Sequence, residues 1–367
     1  MIQIFSNTLD QRELEAVNGV FDSRWLGSGE KVKELESRFK DKIGKVCLST
    51  NSCTSALVIA LKAIGIGEGD EVIIPTINFV GCANAVLMLG AYPVFCDVRP
   101  DSFNIDPTDF DDKITRDTRA VIVLHYGGHP AEMNEIKSIA VEHGIDVIED
   151  SANSVSSFYK GKHCGTLGSA GVFSFDSMKT LVTGDGGMLS ISDEFYNAAY
   201  EYRYLGLPQK SKSGIDSQNS GTDRWWEFEI NRASDRNTMN DITAAIGIEQ
   251  LRKLPYFIER RRAIWNTYQE AFSKLNTPPE PLPDCESSYY LYWLKIKDRD
   301  RFARYLVDNG IYCTFRYYPL HMVKYYESDS VLPVAEEINE TAINIPLHQN
   351  LSDEDVDYII DRVNKFT

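Results

Sequence analysis

Between Val147 and Met188 the chain carries V-I-E-D-S-A-N ending at Asn153, F-S-F-D-S-M-K ending at Lys179, and then T-G-D-G-G-M. The apolar run closing on Asp150 reads as a buried parallel strand with a carboxylate at its C-terminal end. A second strand, around Val172 to Phe175, feeds a turn that carries Lys179. The glycines that follow mark a place where the backbone bends sharply or passes close to something. An acid and a lysine on adjacent strand ends, with glycines beside the lysine, is what pyridoxal phosphate (PLP) requires. The lysine forms the Schiff base, and the acid keeps the pyridine nitrogen protonated so that the ring can accept electrons. The plain alternative is a surface lysine and an N-capping aspartate. As a base at neutral pH, Lys179 would have to be desolvated or lie near other positive charge, since a free lysine has a pKa of ~10.4.

Four further places fit the same chemistry. N-S-C-T-S-A-L puts Ser52, Cys53 and Thr54 at a strand-to-helix turn, where free amides and the helix dipole bind phosphate; any helix can also simply begin with Ser or Thr. P-T-I-N-F-V-G sets Phe79 just past a strand end, where its ring could lie over a pyridine face, or it could be an ordinary core residue. Asn153 could hydrogen-bond a phenolic oxygen or serve a turn. Ser174, upstream of Lys179, could donate to phosphate, although a strand serine needs no such role.

The elements that must position these residues alternate in type. Helical spacing covers Gln11 to Asp22, Val32 to Lys42, Thr54 to Ile64, Gly81 to Leu89 and Glu132 to His143, and strands are expected at 46–50, 71–75, 93–98, 120–126 and 146–150. Such repetition predicts an α/β fold with a mostly parallel sheet covered on both faces, with ligands at the strands' carboxyl ends. Residues 208–224 read as an inserted polar loop. A long helix from Asp241 to about Leu275 should lead into a smaller C-terminal α+β domain, with strands near Tyr289 to Ile296 and Tyr312 to Phe315. The expected division is a large cofactor-binding domain over 1–250 and a small one over 251–367.

Composition narrows the function classes. The 367 residues have a net charge of -16 and no Lys/Arg block, which argues against nucleic acid and anionic membrane as partners. The start, M-I-Q-I-F-S-N-T-L-D, lacks a basic region followed by a long apolar one, and no apolar run reaches spanning length. Seven cysteines, scattered and without C-x-x-C spacing, speak against a disulfide framework or a metal site and for a reducing compartment. A cytoplasmic location is expected.

Ordered blocks run nearly end to end: W-L-G-S-G-E, D-E-V-I-I-P, N-A-V-L-M-L-G-A-Y-P-V-F-C-D-V, F-N-I-D, A-E-M-N-E-I, the Asp150 and Lys179 segments, M-N-D-I-T-A-A-I-G, Y-Y-P-L-H and I-P-L-H. With these blocks the chain resembles the DegT/DnrJ/EryC1/StrS sugar aminotransferases, PLP enzymes of the aspartate aminotransferase fold. The resemblance implies that Lys179 is the Schiff-base lysine, Asp150 pairs with the pyridinium nitrogen and Phe79 stacks on the ring. It maps phosphate contacts to the backbone of Cys53 and Thr54 and to the Ser174 hydroxyl, with Ser52 beside them in the cofactor site, and sets Asn153 where a Gln or His lies by the ring oxygen. It also implies a keto-sugar acceptor, most often nucleotide-linked and destined for a surface polysaccharide or related glycan, an L-glutamate donor, and a homodimer with shared sites.

Three positions depart from the family pattern. Asp176 stands where His is usual after F-S-F. R-N-T-M replaces N-x-R-M, which places Arg236 and Asn237 where a residue reaches a neighbouring subunit's phosphate. Arg316 replaces the His that begins H-Y-x-P-L-H, beside the expected substrate contacts Tyr317 and His321; arginine there suits a carboxylate. The rival expectations are an aminotransferase acting on a free keto-sugar acid, a PLP-dependent sugar dehydratase (a group that carries His at the lysine), and a non-catalytic PLP-binding regulator.

Overall fold

In the computed structural model, residues 1–209, 224 and 226–367 are described, so most of the polar stretch 208–224 lies outside the described residues. Helices α1 (Gln11–Ser23) and α2 (Glu30–Ile43) lead into strand β1 (Cys47–Thr50), followed by α3 (Cys53–Ile64), β2 (Glu71–Pro75), α4 (Val80–Leu87) and β3 (Tyr92–Cys96). Next come α5 (Pro107–Asp112), β4 (Thr118–Leu124), α6 (Met133–His143) and β5 (Asp146–Asp150). Two short strands, β6 (Phe158–Tyr159) and β7 (Lys162–His163), precede β8 (Ala170–Ser174), β9 (Gly187–Ile191) and α7 (Asp193–Arg203). The long α8 (Asp241–Ala271) opens the C-terminal part, with β10 (Cys285–Glu286), β11 (Tyr292–Lys295), α9 (Arg299–Asp308), α10 (Pro333–Thr341), β12 (Ala342–Ile345) and α11 (Asp353–Phe366).

Seven strands form one sheet in the order β1-β9-β8-β5-β4-β2-β3. The pairs β2–β3, β2–β4, β4–β5 and β5–β8 are parallel, and β9 runs antiparallel to both β8 and β1. Side chains alternate across the pleat. Along β4, Ala120, Ile122 and Leu124 enter the core shared with α3 and α4, whereas Val121 and Val123 join Phe110 of α5 and Met133, Ile136 and Ala140 of α6. Burial on both faces explains why these strands are apolar without a break, each fully buried Val or Ile contributing roughly 1.5–3 kcal/mol. The same alternation sends Ile148 to the α3 side and Val147 to the α6 side. Asp150 therefore shares its face with α3, and Glu149 points the other way.

Glu149 is a structural acid. Fully buried, it accepts from the amides of Gly165 (2.7 Å), Leu167 (2.5 Å) and Gly168 (2.8 Å) and from His125 Nε2 at 3.0 Å. The His125 Nδ1 atom accepts from the Ala131 amide, which assigns the proton to Nε2.

The C-terminal part corrects two sequence expectations. Tyr312 to Phe315 forms no strand: Thr314 exchanges one pair of backbone bonds with Asn344, and the Asn344 Oδ1 atom then takes the Arg316 amide at 2.7 Å and diverts the chain from the ladder. The partner of β11 is instead β12, within the segment that ends I-P-L-H. Residue 250, the expected domain boundary, falls inside α8. From Ile264 onward a separate core gathers Trp265, Tyr268, Tyr292, Phe302, Ile343 and Ile359.

Candidate active site

One row of residues across three strands assembles the first half of the site. Gly187 pairs with Thr50 on one side and with Ser174 on the other. This brings the start of α3, the glycine loop and Ser174 together. Gly184 has φ +94°, and a Cβ on Gly187 would lie 2.6 Å from the Ser52 carbonyl carbon and 2.7 Å from the Cys53 nitrogen. The bend and the close approach expected of T-G-D-G-G-M are thus two separate glycines. The Ser52 hydroxyl caps α3 by accepting from the Ser55 amide at 3.1 Å. The amides of Cys53 and Thr54, in the first turn, have no intrahelical acceptor, and that turn carries no acidic residue. Ser174 Oγ accepts a long bond from the Asp176 amide (3.4 Å), which leaves its proton for another acceptor.

The second half lies at the ends of β2, β4 and β5. Asp150 is 4% exposed. Its Oδ1 accepts from the Ala152 amide at 3.0 Å and its Oδ2 from the Cys82 thiol at 3.1 Å. Burial, together with the Asp150 charge, pushes the Cys82 thiol well up, so it stays protonated and donates. Asn153 is buried, with Oδ1 accepting from the Gly127 amide (3.3 Å) and Nδ2 unpartnered among the described residues. Phe79 is 56% exposed although its neighbours Ile77 and Asn78 are buried, and its ring centroid is 6.0 Å from that of Tyr317.

Lys179 sits in a turn built by Asp176. The Asp176 carboxylate accepts the Met178 amide and its carbonyl the Lys179 amide, both at 2.9 Å, which gives the departure from His a local structural use. The Lys179 Nζ atom lies 4.9 Å from the ring centroid of Tyr290. Burial pulls the ammonium down, but the Tyr290 and Tyr317 phenols and the Asp150 carboxylate outweigh it and hold Lys179 above the ordinary lysine value. The lowering expected from sequence is absent because the groups facing Nζ are acidic or aromatic.

Other expected residues fall into place unevenly. Arg316 is half-buried with its guanidinium 4.6 Å from the Phe5 ring centroid and Nη2 3.0 Å from the Met178 sulfur, and no carboxylate pairs with it among the described residues. Its carbonyl accepts from the Tyr126 hydroxyl. Tyr317 is buried beside Phe79 and is among the groups acting on Lys179. His321 is a correction. Its Nδ1 bonds Thr76 Oγ1 at 2.7 Å and its Nε2 faces Glu336 at 3.4 Å, so both ring nitrogens brace the end of β2 against α10 and neither is left for substrate. The Asn237 carbonyl accepts the Asn51 amide at 3.0 Å, and Arg236 lies over the Tyr204 ring at 5.6 Å. Cys82, Tyr290 and Phe5 had no sequence signal: each is an ordinary apolar-segment residue until the fold supplies its neighbour.

The sequence pattern of the DegT/DnrJ/EryC1/StrS aminotransferase family matches residues 7–364. The chain belongs to this family. As a DegT/DnrJ/EryC1/StrS aminotransferase it is a PLP-dependent enzyme. It is 41% identical, over all of its own length and 96% of the relative's, to a dTDP-4-dehydro-2,3,6-trideoxy-D-glucose 4-aminotransferase from Saccharopolyspora spinosa. The solved aminotransferase TlmJ from Streptoalloteichus hindustanus superposes with a TM-score of 0.92 at 43% identity, covering 100% of this chain and 98% of that one. The protein Spr1654 from Streptococcus pneumoniae, solved in its PMP-form, does so with a TM-score of 0.92 at 26% identity, covering 100% and 98%. The residues fit the cofactor on observations of this chain alone. Free first-turn amides and an available Ser174 proton suit a phosphate, the unpartnered Asn153 Nδ2 is a buried donor, and the exposed Phe79 ring offers a face for stacking.

Proposed function

We propose that this aminotransferase moves an amino group from glutamate to a nucleotide-linked keto-sugar, in a homodimer. Bound PLP supplies an aldehyde for the amino group and a ring that accepts electrons. Lys179 would hold the cofactor through Nζ and carry the proton of the donor α-carbon. Asp150 would hold the proton of the ring nitrogen, with Cys82 and the Ala152 amide fixing its carboxylate. Cys53, Thr54 and Ser174 would bind phosphate, Phe79 would cover the ring and Asn153 would meet its phenolic oxygen. The sugar class rests on the Saccharopolyspora relative, whose name gives a dTDP-linked keto-sugar.

The observation that carries the donor assignment is Arg316, a guanidinium without a carboxylate partner among the described residues, close to the Lys179 turn through Met178. A planar, permanently charged group in that position suits a substrate carboxylate, which glutamate brings. A keto-sugar acid as acceptor is the second reading the same arginine favours. The test is to mix purified enzyme with glutamate and, separately, the aminated enzyme with dTDP- and GDP-linked keto-sugars and with keto-sugar acids, following cofactor absorbance. Turnover of glutamate and of a nucleotide-linked sugar is expected; response to sugar acids alone would select the second reading.

Assembly as a dimer is supported by an apolar surface. Trp25 (59% exposed), Phe228 (67%) and Ile230 (59%) flank the 231–241 segment, which is tied to Leu26 and Gly206 by backbone bonds. Exposed apolar side chains of this size suit a covered face, and Arg236 belongs to the 231–241 segment. Light scattering is expected to give a dimer. No helix among the described residues is long and apolar enough to cross a membrane; a cytoplasmic location is the reading that suits seven unpaired cysteines. The division into a large and a small unit is supported by the separate core that begins at Ile264, while Leu254 and Phe257 still pack in the core of the large unit, so its end lies within α8 past residue 250.

A further inference from the structure

Two cations of the site are linked by a stacked pair of aromatic rings. Lys179 Nζ lies 4.9 Å from the Tyr290 ring centroid, Tyr290 and Phe5 stack at 5.4 Å with planes 17° apart, and the Arg316 guanidinium carbon lies 4.6 Å from the Phe5 centroid. Each cation meets one ring of the pair, and both distances are within reach of a cation–π attraction. The stack is anchored from three directions. Tyr290 is 1% exposed and its hydroxyl donates to the Met178 carbonyl at 3.3 Å, inside the turn that carries Lys179. Its own carbonyl, with those of Tyr289 and Leu347, faces the Arg261 guanidinium, a buried cation that burial pulls down to about 10. Phe5 is delivered by the N-terminal segment, where Ile2 bridges Ile311, the Gly310 carbonyl accepts the Ile2 amide at 2.7 Å, and the Gln3 carbonyl meets His348 Nε2 at 3.1 Å.

We propose that Tyr290 and Phe5 are positioning residues, a two-ring spacer that sets the separation between the Lys179 amine and the Arg316 guanidinium. The proposal rests on the aminotransferase reading above, in which one cation works at the α-carbon of the amino donor and the other binds its carboxylate. A rigid spacer fits a substrate that must touch both at once. Aromatic rings fill this role where acids would not. A carboxylate between the cations would neutralise them and occupy the place of the substrate, whereas a ring face attracts each cation and leaves its charge free. The groups facing Lys179 besides Tyr290 are Asp150 from β5, Cys53 from α3 and Tyr317. Among these Tyr290 alone offers Lys179 a ring face at cation–π distance.

The test compares Tyr290→Leu with Tyr290→Phe, and Phe5→Leu with Phe5→Tyr. In the full-length apoenzyme, reductive methylation of Lys179 at pH 8, read by peptide mapping, reports the share of neutral amine. Tyr290→Phe removes the phenol and keeps the ring face, so the effect of the face is read against it: Tyr290→Leu is expected to label roughly 2- to 30-fold faster than Tyr290→Phe. Phe5→Leu, which opens space behind the stack and leaves the ring that Lys179 meets, controls for access and should not speed labelling. In the holoenzyme, Phe5→Leu should raise KM for glutamate several-fold with little change in kcat of that half-reaction, and Phe5→Tyr should restore it. Equal labelling of Tyr290→Phe and Tyr290→Leu, or an equal rise in Phe5→Leu, would overturn the role of Tyr290. An unchanged glutamate KM in Phe5→Leu would overturn that of Phe5, and this measurement decides alone if Tyr290→Leu does not fold. Labelling needs no substrate, so its outcome is separate from failure of the donor assignment, which would appear as a wild-type enzyme inert to glutamate.

Discussion

The Cys82 thiol donates to Oδ2 of Asp150 across 3.1 Å, joining the first turns of α4 to the end of β5. With the Ala152 amide on the other oxygen, both carboxylate oxygens are held from inside the protein. An acid fixed in this way can offer its remaining lone pairs to a ring nitrogen without reorganising, which is where electrostatic stabilisation acts most strongly. Asp150→Asn is therefore expected to lower kcat by roughly a hundredfold or more, since stabilisation of this sort is worth several kcal/mol. Cofactor affinity should fall less. Single-turnover rates with glutamate, measured beside a cofactor titration, check the split.

Lys179 is expected to be the only lysine that takes the cofactor. Borohydride reduction of the yellow holoenzyme followed by peptide mapping should put the label on the peptide containing Lys179. Lys179→Ala should bind PLP without reducible label. Label elsewhere would move the active lysine.

Arg316→Ala should weaken kcat/KM of the half-reaction whose substrate carboxylate it binds by about ten- to hundredfold, a charge-assisted pair being worth roughly 1.5–3 kcal/mol. The expected loss is in the glutamate half. A loss confined to the sugar half would reassign the arginine to an acidic acceptor, and no loss in either would leave it a partner of Phe5 alone.

Acid should destabilise the fold through buried histidines. His129 is 6% exposed with both ring nitrogens unpartnered among the described residues, and burial holds it down at about 4. Unfolded, the imidazole titrates near 6.5. As pH falls through that value the unfolded chain gains a proton that the folded one refuses, so stability is lost between about pH 6.5 and 4. From pH 7 to pH 5 this one group accounts for about 2 kcal/mol, and His163 and His348, also near 4, act in the same direction. His129→Phe should show a smaller drop in melting temperature between pH 7 and pH 5 than wild type. An equal drop would place the acid sensitivity elsewhere.

Much of this site was legible before folding because strand ends carry their chemistry locally. An apolar run that stops at Asp150, a Ser at a helix start and a glycine cluster after Lys179 are each signalled by neighbours a few residues away, and the structure has strands or helix caps at those points. Segments whose pairing is long-range were harder. Tyr312 to Phe315 has strand composition, yet Asn344, about thirty residues away, diverts it with a side-chain bond. His321 carries a motif position, yet Thr76 and Glu336 occupy both its nitrogens.

By itself the sequence determined the alternation of strand and helix, the family, the cofactor and the residues expected to meet it, since periodicity, caps and motif blocks are properties of short stretches. Only the tertiary structure showed what the neighbouring acid does, because the pleat turns Glu149 toward the 165–168 loop while Asp150 faces α3. It also decided the company of Lys179, Asp150 and Arg316. Tyr290, Phe5 and Cys82 come from three distant parts of the chain, and a contact between residues far apart in sequence leaves no local pattern to read. Their meeting is set by the parallel order of the strands and by the N-terminal segment crossing to Ile311, and those are properties of the whole fold.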